Sequence, residues 1–557
     1  MTINRDRLRW NGWGLIAMED HVSSRPEVWR WLESELAMPA LTATPALKLE
    51  QINLPPPRLS AEALAALTAI VGSANVVTAK EDRAFHARGR SYADLLAMRS
   101  GAIEDAPDAI VYPRNSDDIA AILKLAGDSA IAVIPCGGAT SVVGGMTPLR
   151  APGQTALIAL DMTRMNRLIA VDRQSMTATA EAGIYGPDLE RALQAQGVTL
   201  GHYPQSFEFS TLGGWIAARG AGQQSNRYGK AEHWLVSARV ITPAGAWATE
   251  EYPASAAGPR LTDLVAGSEG TLGVIADATF RVRPQPAHRD LRAYLFRSFA
   301  EGAEAVRTLA QSGIDIASMR LSDEEETRFY QTFGRIGEAP SFKRRIEAAY
   351  LRRHGLAEKR CALIVGTEGE RDEAPRAADE ARRIIRRLNG LYVGRKPAES
   401  WYAGRFHGPY LRDPLMDHGV GVDTLETATR WSNVENLHEK VRAALEGAMR
   451  ANAPVPGARG IVMGHISHSY PDGASLYFTF IFPRRASDEM AQWQAIKKAA
   501  SDAIAAHGGT ISHHHGAGCD HAPWLAGEKG ETGMAILRAL KSTLDPKGIM
   551  NPGKLGV

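Results

Sequence analysis

Three glycine-rich segments, widely separated in the chain, have the composition of loops that bind an anionic group. They are residues 135–141 (PCGGATS), 205–215 (QSFEFSTLGGW) and 267–275 (GSEGTLGVI). Glycine lets main-chain N–H groups approach a phosphate closely, and Ser or Thr hydroxyls beside it add further donors. None of the segments contains the G-x-G-x-x-G or the G-x-x-x-x-G-K-[ST] pattern, so a Rossmann NAD site and a phosphate-loop ATPase are disfavoured. One Gly-Gly loop alone would be a turn, but the three together predict a dinucleotide site.

The run His513, His514 and His515 is the strongest candidate for acid–base chemistry. An imidazole titrates near neutrality and suits proton abstraction next to a carbonyl group. Consecutive side chains on an extended segment alternate in direction, so at most two of the three can face one site. Three adjacent histidines could equally form a surface cluster or bind a metal ion.

The bulk properties of the chain limit its class. Its 557 residues exceed the size of a single core and predict two or three domains. The formal net charge is only +2 and no basic stretch is interleaved with aromatics, so we expect no nucleic-acid partner. The three cysteines, Cys136, Cys361 and Cys519, are far apart and fit a reducing compartment. The sequence has no apolar run of the ~18 residues that span a bilayer, no signal peptide and no peroxisomal address, so we expect a cytoplasmic protein with at most peripheral membrane contact.

The spacing of apolar residues predicts an α+β fold. A helix capped by Ser116 and a buried strand at residues 131–134 would deliver the first glycine segment. A second unit would consist of a strand at residues 176–181 and a helix that begins near Pro187. Further predicted elements are a hairpin at 235–249, a strand at 278–282, helices at 299–311 and 373–388, and strands at 361–365 and 476–482. Two prolines after residue 282 predict a domain boundary near Pro286.

The three glycine segments, in this order, resemble the FAD-binding domain of the vanillyl-alcohol oxidase and p-cresol methylhydroxylase (PCMH) superfamily. The start Trp10-Asn11-Gly12-Trp13-Gly14 and the segment from Ser512 to Gly516 are similar to one branch, the alkyldihydroxyacetonephosphate synthases. The resemblance covers nearly the whole chain. It implies an N-terminal extension at 1–105, a two-subdomain PCMH-type FAD-binding domain at 106–286, a cap or substrate domain at 287–510 with a sheet covered by helices, and a segment at 511–557 that returns to the flavin. It also implies a homodimer.

The resemblance implies FAD as the cofactor, held by four stretches of the chain. The residues that match are Pro135, Cys136, Gly137, Gly138, Ala139, Thr140, Ser141, Gln205, Ser206, Phe207, Glu208, Phe209, Ser210, Thr211, Ala218, Arg219, Gly220, Ala221, Gly267, Ser268, Glu269, Gly270, Thr271, Leu272 and Gly273. The superfamily often attaches FAD to a histidine in or beside the first loop, and residues 135–141 contain none, so we expect noncovalent FAD. Ala139 replaces a family glycine, which is tolerated unless that position needs a positive φ.

The resemblance also implies the catalytic groups. They are Tyr477 with His513, His514 and His515 for acid–base chemistry, and Arg412 and Arg320 for a small anionic, lipid-like substrate. The implied reaction exchanges acyl for alkyl on dihydroxyacetone phosphate through an adduct at flavin N5, in ether lipid synthesis, without net electron transfer. Tyr477 could instead be an ordinary strand aromatic, and either arginine a surface ion pair.

Three departures from the synthase pattern bear on the substrate. Cys519-Asp520-His521 and Gln223-Gln224-Ser225 stand where the synthases have cations, which weakens the case for a phosphate group. His465 stands where they have an arginine, and Gly464-His465 resembles a motif of metal-assisted flavin dehydrogenases. We expect no metal, because Tyr477 occupies that motif's second histidine position and His468, three residues along a strand, should face away. The second hypothesis is therefore an FAD-dependent oxidase or dehydrogenase of a carboxylated or phenolic alcohol, such as a 2-hydroxy acid. A flavoprotein scaffold with a dead site is disfavoured, since candidates for acid, base and anion clamp are all present.

Overall fold

The computed structural model describes residues 5–17, 22–339 and 341–557, so the first residues of the expected N-terminal extension lie outside the described part. Its first sheet has four strands in the order β1-β2-β4-β3. They are β1 Val76–Val77, β2 Ala109–Val111, β3 Ile131–Cys136 and β4 Ala156–Asp161. Strands β2, β4 and β3 are parallel, and all three are buried runs of apolar residues, as parallel strands covered on both faces require. Strand β3 ends at Cys136, so the first glycine loop emerges from the carboxyl edge of this sheet.

A second sheet of five strands, in the order β5-β6-β10-β8-β9, and a separate strand pair, β11-β7, complete the FAD-binding half. The strands are β5 Leu168–Asp172, β6 Thr177–Glu181, β7 Val198–Thr199, β8 Leu235–Thr242, β9 Gly245–Ala248, β10 Val274–Arg281 and β11 Arg283–Pro284. The five-stranded sheet is antiparallel throughout. Strand β10 begins directly after the third glycine loop, so its pairing with β6 and β8 fixes that loop against the sheet.

The second half of the chain forms a seven-stranded antiparallel sheet in the order β15-β12-β14-β13-β17-β18-β16. Its strands are β12 His288–Phe296, β13 Ser318–Ser322, β14 Cys361–Gly369, β15 Leu391–Gly394, β16 Val420–Arg430, β17 Ile461–Ser469 and β18 Gly473–Pro483. The sheet packs on helices through a large core that includes Phe478, Phe480, Leu437 and Val441. This is the expected sheet covered by helices, and the α+β prediction is confirmed.

Helices connect and cover these sheets. They are α1 Pro26–Leu36, α2 Ala61–Val71, α3 Lys80–Phe85, α4 Tyr92–Ser100, α5 Ser116–Asp128, α6 Gly186–Gln194, α7 Leu212–Ala217, α8 Ser225–Tyr228, α9 Ala231–Trp234, α10 Thr262–Val265, α11 Phe299–Ala310, α12 Glu324–Phe333, α13 Phe342–Arg353, α14 Glu373–Arg387, α15 Lys396–Ala403, α16 Arg412–Asp417, α17 Val434–Ala451, α18 Glu489–Ala506 and α19 Ala522–Leu544. The prediction of Ser116 as a cap is wrong by one residue, because the side chain of Asn115 accepts from the Asp118 N–H at 2.9 Å and Ser116 is already helical. Among the described residues, no helix combines the length and the apolar character needed to cross a bilayer.

The C-terminal segment returns to the first sheet beside β3. Val133 N donates to Ile549 O at 2.8 Å, and Asn551 N donates to Val133 O at 2.9 Å. The two segments run parallel there, with Met550 opposite Val133. Because β3 carries the first glycine loop, this pairing brings the end of the chain to the same loop.

Candidate active site

One cavity of about 400 Å³ is lined by both halves of the chain. The FAD-binding half contributes all of residues 135–141 and parts of the other predicted loops. The seven-stranded sheet contributes Tyr477, His465 and His468, and the segment after α18 contributes His514 and His515. The predicted cofactor loops and most of the predicted catalytic groups therefore meet in one space.

The first two glycine loops approach each other so closely that side chains are excluded. A Cβ atom added to Gly138 would lie 1.7 Å from the carbonyl oxygen of Phe209, and one added to Gly137 would lie 2.1 Å from Thr211 Oγ1. Such contacts are far below van der Waals distance, so only glycine fits at both positions. The result is a cradle with bare backbone, which suits a phosphate-bearing ligand.

Ala139 adopts the left-handed conformation, with φ at +56°, and is 3 % exposed. Position 139 therefore needs a positive φ, which is the case in which alanine is costlier than glycine. A non-glycine residue in this region costs roughly 1–2 kcal/mol, and the packing of the Ala139 side chain in a cluster with Phe85, Met146 and Phe209 offsets part of that cost.

Several buried polar atoms that belong to cavity-lining residues lack a partner among the described residues. They are Thr211 Oγ1, Gln223 Oε1, Asn551 Oδ1 and Glu326 Oε2. Buried polar atoms are normally hydrogen-bonded, so a set of such orphans around one cavity indicates that a polar ligand completes them. With the glycine cradle, this set fits a dinucleotide such as FAD.

The predicted cofactor residues divide into two groups. Those that line the cavity are Pro135, Cys136, Gly137, Gly138, Ala139, Thr140, Ser141, Gln205, Ser206, Ser210, Thr211, Ala218, Gly220, Ala221, Glu269, Gly270 and Gly273. The remaining ones, which do not line the cavity, are Phe207, Glu208, Phe209, Arg219, Gly267, Ser268, Thr271 and Leu272. Some of them make hydrogen bonds to protein groups that hold the loops in place. Glu208, for example, accepts a hydrogen bond from Tyr410 at 2.7 Å, and Thr271 N closes a turn on Ser268 O at 2.8 Å.

Glu269 joins the third glycine loop to the segment that follows the histidine run. Its Oε1 accepts from Ala517 N at 2.6 Å and its Oε2 from Gly518 N at 2.8 Å. Burial raises the pKa of Glu269 to about 7, against the opposing effect of these two N–H groups. The carboxyl group thus positions the histidine segment relative to the cofactor loop.

The histidine run is held by one buried carboxylate, Glu426 on β16. It accepts hydrogen bonds from the main-chain N–H groups of His513 at 2.5 Å, His514 at 3.1 Å and His515 at 2.9 Å. Ser512 Oγ donates to the same group at 2.8 Å. Burial works to raise the pKa of Glu426, but the histidines and these N–H groups lower it to about 2, so the group is ionised.

Of the three predicted histidines, His514 and His515 line the cavity and His513 lies behind them. The structure therefore has two of three at one site, the maximum that alternation allows. Burial lowers the pKa of all three imidazoles. At neutral pH they are uncharged, so each ring has one lone pair and can accept a proton, and one of these lone pairs takes part in the hydrogen bond between His513 Nδ1 and His514 Nδ1.

Tyr477 lies in the middle of this group, on β18 opposite Glu426 on one side and His465 on the other. Its ring centroid is 4.9 Å from that of His465, 6.0 Å from that of His514 and 5.5 Å from that of His515. Burial raises the pKa of Tyr477, which keeps the phenol protonated as a donor. Tyr477 therefore lines the cavity among the histidines, with its phenol available as a hydrogen-bond donor.

Both predicted arginines line the cavity, and neither is a surface ion pair. Arg412 is 7 % exposed, donates to Arg90 O at 2.7 Å and lies 3.6 Å from Asp423. Arg320 donates to Glu326 at 2.9 Å and contacts His465 Nε2 at 2.9 Å. Each guanidinium thus has a carboxylate partner of its own.

The expectation that His468 faces away is wrong. The pairing of β17 with β18 shifts register between Ile466 and Ser469, and this β-bulge turns His468 into the cavity beside His465. Its ring centroid lies 5.1 Å from those of both His513 and His514.

The buried carboxylates Glu426, Asp423 and Glu326 were not among the residues predicted from the sequence. A signal was present, because Asp423 and Glu426 interrupt a strand that is otherwise mainly apolar or uncharged, and a buried charge requires a partner. Part of the cavity wall is formed by apolar or aromatic side chains, most of them from one hydrophobic cluster: Leu32, Phe329, Tyr330, Phe333, Leu411, Leu415, Val422, Met463 and Ile481.

Comparisons with known proteins agree with this geometry. The family described as FAD binding domain matches residues 107–249, and the family described as FAD linked oxidases, C-terminal domain, matches residues 285–555. FAD is accordingly the cofactor, and the chain is an FAD-dependent enzyme. The p-cresol methylhydroxylase structure shares the fold, with a TM-score of 0.66 at 16% identity over 89% of this chain and 96% of that one.

Two comparisons identify the branch. The alkyldihydroxyacetonephosphate synthase of Dictyostelium discoideum is 34% identical over 576 residues, covering 99% of this chain and 93% of that protein. A solved structure of alkyldihydroxyacetonephosphate synthase has a TM-score of 0.84 and 31% identity, with 99% of both chains covered. The chain belongs to the alkyldihydroxyacetonephosphate synthase family.

Proposed function

We propose that the protein is an alkyldihydroxyacetonephosphate synthase, which replaces the acyl group of acyl-dihydroxyacetone phosphate by the alkyl group of a long-chain alcohol. The reaction forms one ether bond and releases one fatty acid, so no electrons are gained or lost overall. The observation that carries the proposal is that one cavity is lined by the cofactor loops, a base and an acid group, two arginines and an apolar cluster.

FAD bound on the glycine loops would supply an electron-accepting ring beside the reacting carbon. The cradle of residues 135–141 and 205–211 would hold it, with Thr211 Oγ1, Gln223 Oε1 and Asn551 Oδ1 available for its polar groups. The remaining functions fall to side chains of this chain.

His514 is the base that we propose for the proton on C1 of the substrate. It lines the cavity, its imidazole is neutral, and its Nδ1 lies 2.9 Å from His513 Nδ1, so the proton it takes can be shared with a second ring. The Glu426 carboxylate, 3.6 Å from His514 Nδ1, stabilises the imidazolium that results.

Tyr477 and the two arginines act on the substrate's oxygen atoms. The Tyr477 phenol is protonated and central, so it can donate its hydrogen to the departing fatty acid carboxylate. Arg412 and Arg320 can bind the anionic part of the substrate with N–H groups that their carboxylate partners leave free. The apolar cluster in the cavity wall, which includes Leu415, Met463 and Ile481, suits an aliphatic chain.

One observation favours the second candidate, a dehydrogenase of a 2-hydroxy acid. Gln223 lines the cavity where the synthases have a cation, and Arg320 and Arg412 are already paired with carboxylates, which leaves little net positive charge for a phosphate. A monoanionic carboxylate would need less positive charge in the site than a phosphate group.

Anaerobic mixing distinguishes the two functions. The FAD-loaded protein is mixed with acyl-dihydroxyacetone phosphate and a long-chain alcohol, while flavin absorbance and the products are followed. A synthase releases fatty acid and ether lipid in equal amounts and is not bleached by the alcohol alone. Bleaching by a 2-hydroxy acid alone, with no ether product, would establish the dehydrogenase instead.

We further propose peripheral contact with a membrane, through helix α13. Phe342, Ile346 and Tyr350 lie one helical turn apart and are 77 %, 56 % and 46 % exposed. Four arginines of the helix, Arg344, Arg345, Arg352 and Arg353, add positive charge. Co-sedimentation with anionic vesicles should therefore be weakened by the double substitution Phe342→Ser and Ile346→Ser, and unaltered vesicle binding would exclude this surface.

A homodimer and a cytoplasmic location stay predictions. Light scattering would test the first, and cell fractionation would test the second.

A further inference from the structure

Three histidine rings form an equilateral triangle at the edge of the cavity. The ring centroids of His468, His513 and His514 are 5.1 Å apart for every pair. One ring nitrogen from each lies within 4.8 Å of the other two. All three side chains are largely shielded from solvent.

The size of the triangle matches three imidazoles around one metal ion. Zinc binds histidine nitrogen at 2.0–2.1 Å, which puts the metal about 3.2 Å from the ring centroid. Tetrahedral ligands would then have centroids about 5.2 Å apart. The observed spacing differs from this value by about 0.1 Å.

Hydrogen bonds to outer nitrogens orient two of the three rings, those of His468 and His513. His468 Nε2 lies 3.0 Å from Gly222 O and must donate there, because a carbonyl oxygen only accepts. Its Nδ1 therefore carries the lone pair and lies 2.8 Å from Ser467 Oγ and 3.3 Å from Ser475 Oγ, so a metal ion would replace a hydroxyl donor at this nitrogen. His513 Nε2 lies 2.5 Å from Tyr470 OH, and its Nδ1 lies 2.9 Å from His514 Nδ1, where one of the two nitrogens carries the shared proton, which a metal ion would displace. Metal-binding histidines in proteins are oriented in this way, with the second ring N–H bonded to a carbonyl or another oxygen.

The charge around the triangle also allows a cation. The Glu426 carboxylate lies 3.6 Å from His514 Nδ1. Lys230 is near, and its Nζ donates to His513 O at 2.5 Å, but Glu232 pairs with it at 3.3 Å and offsets its charge. One carboxylate close to three imidazoles suits a divalent ion.

We propose that His468, His513 and His514 form a binding site for a divalent transition-metal ion of the zinc type. Imidazole ligands select zinc, cobalt, nickel and copper over magnesium and calcium. The fourth coordination position of the metal ion would face the cavity, which His468 and His514 line. Given the proposed function, the ion would inhibit the enzyme, because it takes the lone pairs of His513 and His514 that accept the substrate proton.

Calorimetric titration of the FAD-loaded protein with ZnCl₂ tests the site without any activity measurement. We expect one ion per chain, no comparable binding of MgCl₂, and a loss of at least about 10²-fold in zinc affinity in His468→Gln. Tyr470→Phe, which removes only the outer partner of His513, should weaken binding by about 10–100-fold. His288→Gln is the matched control, since His288 is exposed at the start of β12 and should leave binding unchanged.

X-ray absorption at the zinc edge of the loaded wild-type protein decides the case if a variant fails to retain FAD. A shell of imidazole nitrogens supports the site. Sulfur in the shell, no binding at micromolar zinc, or equal affinity in folded His468→Gln overturns it. The synthase assay is separate. Zinc binding without any ether synthesis would refute the proposed function and keep the metal site. Ether synthesis without zinc binding would refute the metal site and keep the proposed function.

Discussion

Glu426→Gln is the substitution that most directly tests how the site is held together. The carboxylate accepts hydrogen bonds from three consecutive main-chain N–H groups and from Ser512 Oγ, and it is 2 % exposed. Glutamine has nearly the same shape but no charge, and its NH₂ group would face N–H donors at one of the two oxygen positions. The variant therefore removes the negative charge beside His514 and disturbs the clamp on the histidine run.

The structure gives the size of both effects. Hydrogen bonds to a charged group contribute about 1.5–3 kcal/mol each, and a buried donor left without a partner costs about 1–3 kcal/mol, so we expect about 2–4 kcal/mol of lost stability. The imidazolium formed at His514 lies 3.6 Å from the carboxylate, where the attraction is about 4–5 kcal/mol at an effective dielectric constant of about 20. If half of this attraction survives screening, the loss of transition-state stabilisation corresponds to about a 10²-fold fall in kcat.

The assay is ether product formation under saturating substrates, with FAD content and unfolding by urea measured on the same preparation. Glu190→Gln is the matched control, because Glu190 is also buried and accepts from Leu200 N at 3.1 Å and Gly201 N at 2.9 Å, yet does not line the cavity. It should lose stability and keep kcat. A folded, FAD-loaded Glu426→Gln protein with kcat within about threefold of wild type would refute the electrostatic argument.

Four further outcomes follow from the site. Tyr477→Phe should lower turnover by about 10²–10⁴-fold with normal flavin content, and near-normal turnover would remove Tyr477 from the acid–base pair. Arg412→Met should raise KM strongly or abolish turnover, since a charge-assisted contact is worth about 1.5–3 kcal/mol; unchanged kinetics would make Arg412 structural. Acid precipitation should leave the flavin in the supernatant, because residues 135–141 contain no histidine, and yellow colour in the pellet would show covalent attachment. Burial raises the pKa of Asp520 to about 7, above its value in the unfolded chain. The folded protein therefore loses stability as pH rises from about 4 to about 7, because the ionised carboxylate is disfavoured where it is buried. Asp520→Asn should stabilise the protein more at pH 8 than at pH 5, and an equal gain in stability at both pH values would contradict the assigned pKa.

The elements that carry the site could be predicted from local patterns, but their ends and their arrangement could not. The apolar run at residues 131–134 identified β3, whereas β18 extends beyond the predicted 476–482 to Gly473–Pro483. Gly473 and Pro483 have poor strand propensity, yet they pair with Arg430 and Val420 of β16, because strand propensity yields to tertiary pairing. The order of the seven strands depends on contacts between distant segments, which no local pattern contains.

The two histidines of β17 show where the alternation rule fails. His465 and His468 are an odd number of residues apart, so a regular strand would point them to opposite faces. One irregularity in the pairing with β18, between Ile466 and Ser469, brings both to the cavity. A bulge is defined by a mismatch with the partner strand, so the sequence of one strand alone does not reveal it.

The ion-pair partners of the two arginines could not be predicted from the sequence either, and these partners determine how a substrate anion can bind. The sequence identified Arg320 and Arg412 as cations, but their partners Glu326 and Asp423 come from elsewhere in the chain. A guanidinium carries five N–H donors in a planar fork, and one carboxylate uses at most two or three of them. The pairs therefore hold both arginines in fixed orientations inside the cavity, while part of each fork remains available. A substrate anion has to bind to these remaining donors beside an internal carboxylate, so the site favours an anion of matching shape over a merely more highly charged one.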